Sequence, residues 1–253
     1  MAEPITSRTN PLCVHFRKLA SSRAYRQEAG QFLCDSPKLL QEACLWGAPI
    51  HTVLYTHGVP LPDLGSAQVR EVSESVMASV SPMETPQGVV FTCSMTPPPL
   101  LPRLERGRYL VLDGIQDPGN VGTILRTADA FDCRAVFLLP GCADLYSPKT
   151  LRAAMGAHFR SLFFSCTLAE AAARFREADI PLYAAALGEH TSDVRRADLT
   201  SAALVVGSEG RGVSPQTLAA CAGTLQIPMT ARCESLNAAV AAAILLWEGW
   251  RNT

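Results

Sequence analysis

From residue 109 onward, short runs that are almost wholly apolar recur at residues 109–112, 135–139, 162–164, 182–186, 203–206 and 225–227. A strand with one wet face alternates apolar and polar residues. A run that is apolar throughout is buried on both faces, which points to a parallel sheet covered by helices. The intervening stretches carry apolar residues at three- and four-residue spacing. They predict helices over 121–131, 148–157, 168–177, 215–221 and 236–250. The fold class is therefore α/β, and ligands of such sheets lie beyond the carboxyl ends of the strands.

A second region precedes this one. Four prolines among residues 97–102 can neither continue a helix nor enter a central strand. They predict a stiff connector over 97–104. Before it, helices are expected over 11–32, 37–46 and 73–79, with strands over 50–55, 69–72 and 88–93. The domains are accordingly a small α/β module over 1–96 and a larger parallel-sheet domain over 105–253.

Composition narrows the function. The net charge of −1 provides no global field toward nucleic acid or membrane, so a polyanion must be held by local patches. Basic residues are 19 Arg against Lys18, Lys38 and Lys149. Guanidinium groups fork onto phosphate and stack on bases, which suits RNA, and a genomic bias gives the same count. Nine cysteines lie apart, without CxxC spacing, and no HExxH occurs. Reduced thiols in a cytoplasmic protein are expected, and no metal site. No apolar run approaches the length of a membrane span.

Three loops follow strand-like runs. Asp117-Pro118-Gly119-Asn120 opens the helix that carries Arg126, with Asn120 placed to cap it. Alone it reads as an ordinary turn and cap. Gly207-Ser208-Glu209-Gly210-Arg211-Gly212 has glycines at i, i+3 and i+5. It is neither a GxGxxG nor a P-loop, and Glu209 would repel a phosphate. Its glycines allow positive φ and a close backbone approach. Ile227-Pro228-Met229 ends a strand with unpaired carbonyls, and Ser235-Leu236-Asn237 opens the last helix, with Ser235 as its cap.

In this order and spacing the three loops resemble the motifs of the SpoU/TrmH-type RNA ribose 2′-O-methyltransferases of the SPOUT superfamily. The first is residues 117–122 with Arg126, the second 206–212, and the third 227–229 with 235–241. The resemblance covers about 108–250. Ala231 and Cys233 depart mildly from it. Residues 1–96 are similar to the ribosomal-protein-like RNA-binding domain of many members, through Lys18, Tyr25, Arg26 and 30–33.

The resemblance implies a C-terminal trefoil knot, a homodimer and S-adenosylmethionine as cofactor. Cofactor contacts are expected at Gly207, Gly212, Ile227, Met229 and Leu236. The expected catalytic set is Arg126, Asn120, Glu209, Ser235 and Asn237. Arg126 acts on the 2′-hydroxyl either as a base or, since a guanidinium keeps its charge, by stabilising the developing alkoxide. RNA, ribosomal before transfer RNA, is expected on Arg17, Lys18, Arg23 and Arg26. The rival is a non-catalytic RNA-binding protein on the same fold. A Rossmann dehydrogenase and a Ser–His–acid hydrolase both lack their motifs.

Overall fold

The structure, a computed structural model, describes residues 3–95, 103–188, 191–230 and 232–251. Residues 97–102 of the expected connector, and Ala231, lie outside the described residues. The chain forms two compact units, residues 1–97 with 144–160 and residues 98–143 with 161–253.

Unit 1 begins with α1 (Pro11–Ser21), α2 (Arg23–Ala29), β1 (Gln31–Asp35), α3 (Pro37–Leu45) and β2 (Ile50–Tyr55). It continues with β3 (Gln68–Glu71), α4 (Glu74–Val80) and β4 (Val89–Ser94). The sheet runs β1-β4-β2-β3. Alternation along each strand splits the core. Leu33, Leu54 and Val90 join Phe16 and Leu19 of α1 and Met77 of α4. Phe32, Val53 and Phe91 join Leu39 and Leu40 of α3.

The single helix expected over 11–32 is broken. Ser22 is extended (φ −119°) and its hydroxyl accepts the N–H of Tyr25, so a new helix starts there. Gly30, left-handed at φ 61°, ends that helix, and Phe32 belongs to β1.

Unit 2 contains β5 (Arg108–Asp113), α5 (Pro118–Ala130) and β6 (Ala135–Leu138), and the chain then passes through α6 (Pro148–Ala154) of unit 1. Back in unit 2 follow β7 (Phe163–Ser165), α7 (Leu168–Glu177), β8 (Leu182–Ala185) and β9 (Ser192–Asp193). The last elements are β10 (Ala202–Gly207), α8 (Pro215–Ala220), β11 (Gly223–Gln226) and α9 (Ala238–Trp250). Seven strands pair in parallel in the order β7-β6-β5-β10-β8-β11-β9. Tyr109, Val111, Phe137 and Val205 pack with Ala171 and Phe175 of α7. Leu110 and Leu112 are buried too and, by alternation, face the other side. The short β9 has no apolar run and was not expected.

Many helices start by one device. Asn10-Pro11, Ser36-Pro37, Asp117-Pro118, Ser147-Pro148 and Ser214-Pro215 each place a capping side chain before a proline at the first turn. The cap satisfies a free N–H, and proline supplies a helical φ where no N–H is needed.

Residues 144–160 were expected within one unbroken domain over 105–253, but they pack in unit 1. Leu151 is buried with Phe32 and Phe91, and Tyr146 and Phe159 lie against the same cluster. Three ion pairs accompany this: Arg26–Asp144 at 2.5 Å, Arg152–Asp35 at 2.7 Å and Arg160–Glu42 at 2.7 Å. Desolvation raises the Asp35 carboxyl, and Arg152 opposes that rise. The helix expected over 148–157 stops at Ala154, where Met155 turns left-handed.

Candidate active site

The carboxyl ends of β5, β10 and β11 carry the three loops. Asp117, not Asn120, caps α5: its Oδ1 accepts the backbone N–H of Asn120 at 2.9 Å. That releases the Asn120 side chain. Its Nδ2 donates to Glu209 Oε1 at 2.5 Å, and its Oδ1 accepts from Asn237 Nδ2 at 3.1 Å. Asn237, not Ser235, caps α9, its Oδ1 accepting the N–H groups of Ala239 (2.9 Å) and Val240 (3.3 Å). The Asn237 side chain satisfies two free N–H groups through its oxygen and reaches Asn120 through its nitrogen. One polar chain thus runs from the N-terminus of α9 through Asn237 and Asn120 to Glu209. It joins residues 89 and 117 positions apart.

Beside this chain lies a cavity of about 520 Å³. Gly207, Glu209, Gly212, Ile227, Met229, Ser235 and Leu236 of the expected set all line it. Sequence reasoning missed Ala185, Ala186 and Leu187, which line it from the end of β8, and Leu218 of α8. Their signal was available only as one more strand end in a parallel sheet. The walls are mainly apolar, with Glu209, Arg211 and Glu234 as the charged lining residues. A volume of this size holds a ligand of drug or cofactor dimensions.

Gly207 has a different reason from the one expected. A Cβ there would lie 2.0 Å from the carbonyl carbon of Gly212 and 2.1 Å from the nitrogen of Val213. The loop closes on itself, with Ser208 and Gly212 exchanging backbone hydrogen bonds at 3.0 and 2.9 Å. Gly212 turns it at φ 67°. The close approach is by the chain's own backbone.

Arg126 is exposed on α5 and makes no hydrogen bond or ion pair with another described residue. It is not fixed against the loop. The polar chain of Glu209, Asn120 and Asn237 forms without it.

The expected RNA contacts divide. Lys18 and Arg23 are exposed, with Lys18 at 5.1 Å over the ring of Tyr25. Tyr25 in turn bonds His15 Nδ1 at 2.9 Å. Arg17 is half-buried and donates to the carbonyl of Arg8 at 3.0 Å. Arg26 is a correction. It is 4% exposed, with its guanidinium on Leu19 O and Asp144, and cannot meet a phosphate. Its place on the inner side of the short α2 puts it in the core, where only ion pairing makes a guanidinium tolerable.

Among the described residues no cluster of three metal-ligating side chains occurs, and no helix is long and apolar enough to cross a membrane. The nine cysteines are free, and burial pushes the thiol of Cys133 up to about 12.

Residues 107–247 match the model of the SpoU rRNA Methylase family, and residues 10–90 that of the MRM3-like substrate binding domain. The chain is 33% identical to the 23S rRNA (guanosine(2553)-2′-O)-methyltransferase RlmP of Bacillus subtilis, over 96% of its own length and 97% of that protein. A solved TrmH-family RNA methyltransferase from Porphyromonas gingivalis superposes with a TM-score of 0.86 at 35% identity, covering 98% of this chain and all of that one. The AdoMet-bound rRNA methyltransferase of Sinorhizobium meliloti superposes with a TM-score of 0.89 at 29% identity, covering 99% and 98% of the two chains.

Proposed function

This chain belongs to the SpoU rRNA methylase family, and we propose that it transfers a methyl group from S-adenosylmethionine to a ribose 2′-hydroxyl of ribosomal RNA. One observation carries the reading: Glu209 both lines the cavity and accepts the Asn120 amide, so the donor pocket and the Arg126 helix share one wall. The cavity fits the cofactor. Its apolar strand ends suit an adenine, and the carboxylates of Glu209 and Glu234 suit a sulfonium.

Bound there, S-adenosylmethionine supplies an electrophilic methyl group. The chain's own residues do the rest. Asn120, bonded at both ends of its amide to Glu209 and Asn237, is held in one orientation against the Glu209 wall of the cavity. Arg126 stands six residues on, about 9 Å along the helix axis, and helical side chains lean toward the N-terminus. Its free guanidinium grips the RNA phosphate and stabilises the alkoxide that develops as the 2′-hydroxyl attacks. Ser235 and Leu236 close the cavity from the α9 side, and Gly212, Ile227 and Met229 offer backbone along its floor.

RNA binding belongs, in this reading, to unit 1, through Lys18, Arg23 and Arg17. The match to a substrate binding domain supports it. A homodimer is part of the same proposal. Val240, Trp247 and Trp250 are exposed on α9, and Phe131 meets Trp247 edge-on at 5.8 Å and Trp250 at a tilt at 5.9 Å. Such an exposed apolar face supports burial against a second copy. The trefoil knot and a cytoplasmic site of action complete the proposal.

The test is methyl transfer in vitro from labelled S-adenosylmethionine to total RNA of a strain lacking the protein. The reading expects label at one 2′-O position of ribosomal RNA. Label confined to transfer RNA, or to a base, would refute it.

A further inference from the structure

Besides the Ser208–Gly212 backbone pair, the neck of the 207–212 loop is tied by a side chain that none of the three loops contains. Asp113 ends β5, and its backbone stands in register with Gly207, the last residue of β10. Its side chain reaches past the loop: Oδ2 accepts the backbone N–H of Ser214 at 2.8 Å. Ser214 is the first residue after the buried Val213 and caps α8 through Thr217 N. Asp113 therefore touches the chain both where it enters the loop and where it leaves. Between those points lie Glu209, which takes the Asn120 amide, and the backbone that lines the cavity. The charge of Asp113 also adds to burial in keeping the Cys142 and Cys221 thiols protonated beside it.

We infer that Asp113 is a positioning residue for methyl-donor binding: it clasps the two ends of the glycine loop, and so fixes Glu209 and the cavity wall. The inference rests on the cavity being the S-adenosylmethionine site. A hydrogen bond to a carboxylate is stronger than one between neutral groups, and it adds to the Ser208–Gly212 backbone pair in restraining a loop of three glycines.

The test is calorimetric titration of the full chain with S-adenosylmethionine, paired with KM and kcat for RNA methylation. Asp113→Ala should weaken cofactor binding about tenfold and raise its KM alike, with KM for RNA unchanged. Asp113→Asn keeps an acceptor oxygen and should recover most of that loss. Ser214→Pro removes the donor N–H at a residue whose φ is already −64°. Ser214→Ala loses the cap but keeps the N–H, and so isolates the contribution of that hydrogen bond. Ser214→Pro should bind more weakly than Ser214→Ala, and Asp113→Ala with Ser214→Pro should be no worse than the worse single change. Wild-type affinity in Asp113→Ala, or losses that multiply in the double variant, would overturn the inference. If Asp113→Ala does not fold, the two Ser214 variants carry the test, equal affinity in them being the contrary result. A wild-type chain that takes no S-adenosylmethionine removes the cofactor reading itself.

Discussion

Two arginines that look alike in the sequence end in opposite conditions. Arg126 of unit 2 is exposed and without a partner among the described residues, on the same helix as Asn120, whose amide is bonded at both ends. Arg26 of unit 1 is buried, with its two terminal nitrogens on the Leu19 carbonyl and the Asp144 carboxylate. A cation with no partner among the described residues, on the helix that opens at the site, is available for chemistry. One that is enclosed and neutralised serves the fold. The difference lies in which face of a helix each residue occupies, and sequence alone shows that face only where the helix limits are right.

The sharpest way to break this contrast is to remove both guanidiniums. Arg126→Ala should cost about 10³ in kcat, the scale of one lost transition-state donor, with cofactor affinity unchanged in a binding titration. A variant that still methylates at a tenth of the normal rate would take Arg126 out of the chemistry.

Arg26→Ala should do the reverse. It leaves Asp144 uncompensated and should destabilise the fold by about 3 kcal/mol in urea unfolding. RNA affinity of the folded fraction should stay the same. A specific loss of RNA binding at full stability would restore Arg26 to the RNA surface.

The 144–160 segment of unit 1 can be probed through pH. Burial holds His158 down at about 4, against 6.5 for a free imidazole, with Nε2 2.7 Å from the Leu145 carbonyl. The folded state thus resists protonation while the unfolded chain accepts it. Stability should be full above pH 6.5 and fall by about 3 kcal/mol as pH drops toward 4. Urea midpoints for His158→Gln should show a shallower fall over that window. An identical pH profile would place the effect elsewhere.

The smallest effect belongs to the exposed cations of unit 1. Lys18→Ala and Arg23→Ala should each weaken RNA binding modestly and reduce the slope of log K against log salt by about 1. A slope unaltered by both would move the RNA footprint off α1 and α2.

The parallel sheet of unit 2 was legible because buried strands leave uninterrupted apolar runs, and five of its seven strands have one; β11, Gly-Thr-Leu-Gln, showed only Leu225. The two-residue β9 has none. The loops were legible as glycine and proline signals at strand ends. Their caps were less so: Asp117 and Asn120 both have capping side chains, as do Ser235 and Asn237, and tertiary bonding decided between them. The 144–160 excursion left no mark, since Leu151 and Phe159 are apolar enough for either unit. Arg26 was misread through the broken helix, whose break is a serine hydroxyl bonded to Tyr25 N.

The account stands on the glycine loop closing over itself to form one wall of a donor site. Titration calorimetry of wild type and Gly207→Ala with S-adenosylmethionine addresses this most directly, because the added Cβ would fall 2.0 Å from the Gly212 carbonyl carbon. The account predicts one site per chain in the wild type and none measurable in a variant that still folds. Equal binding by both chains, or no binding by the wild type, would contradict it.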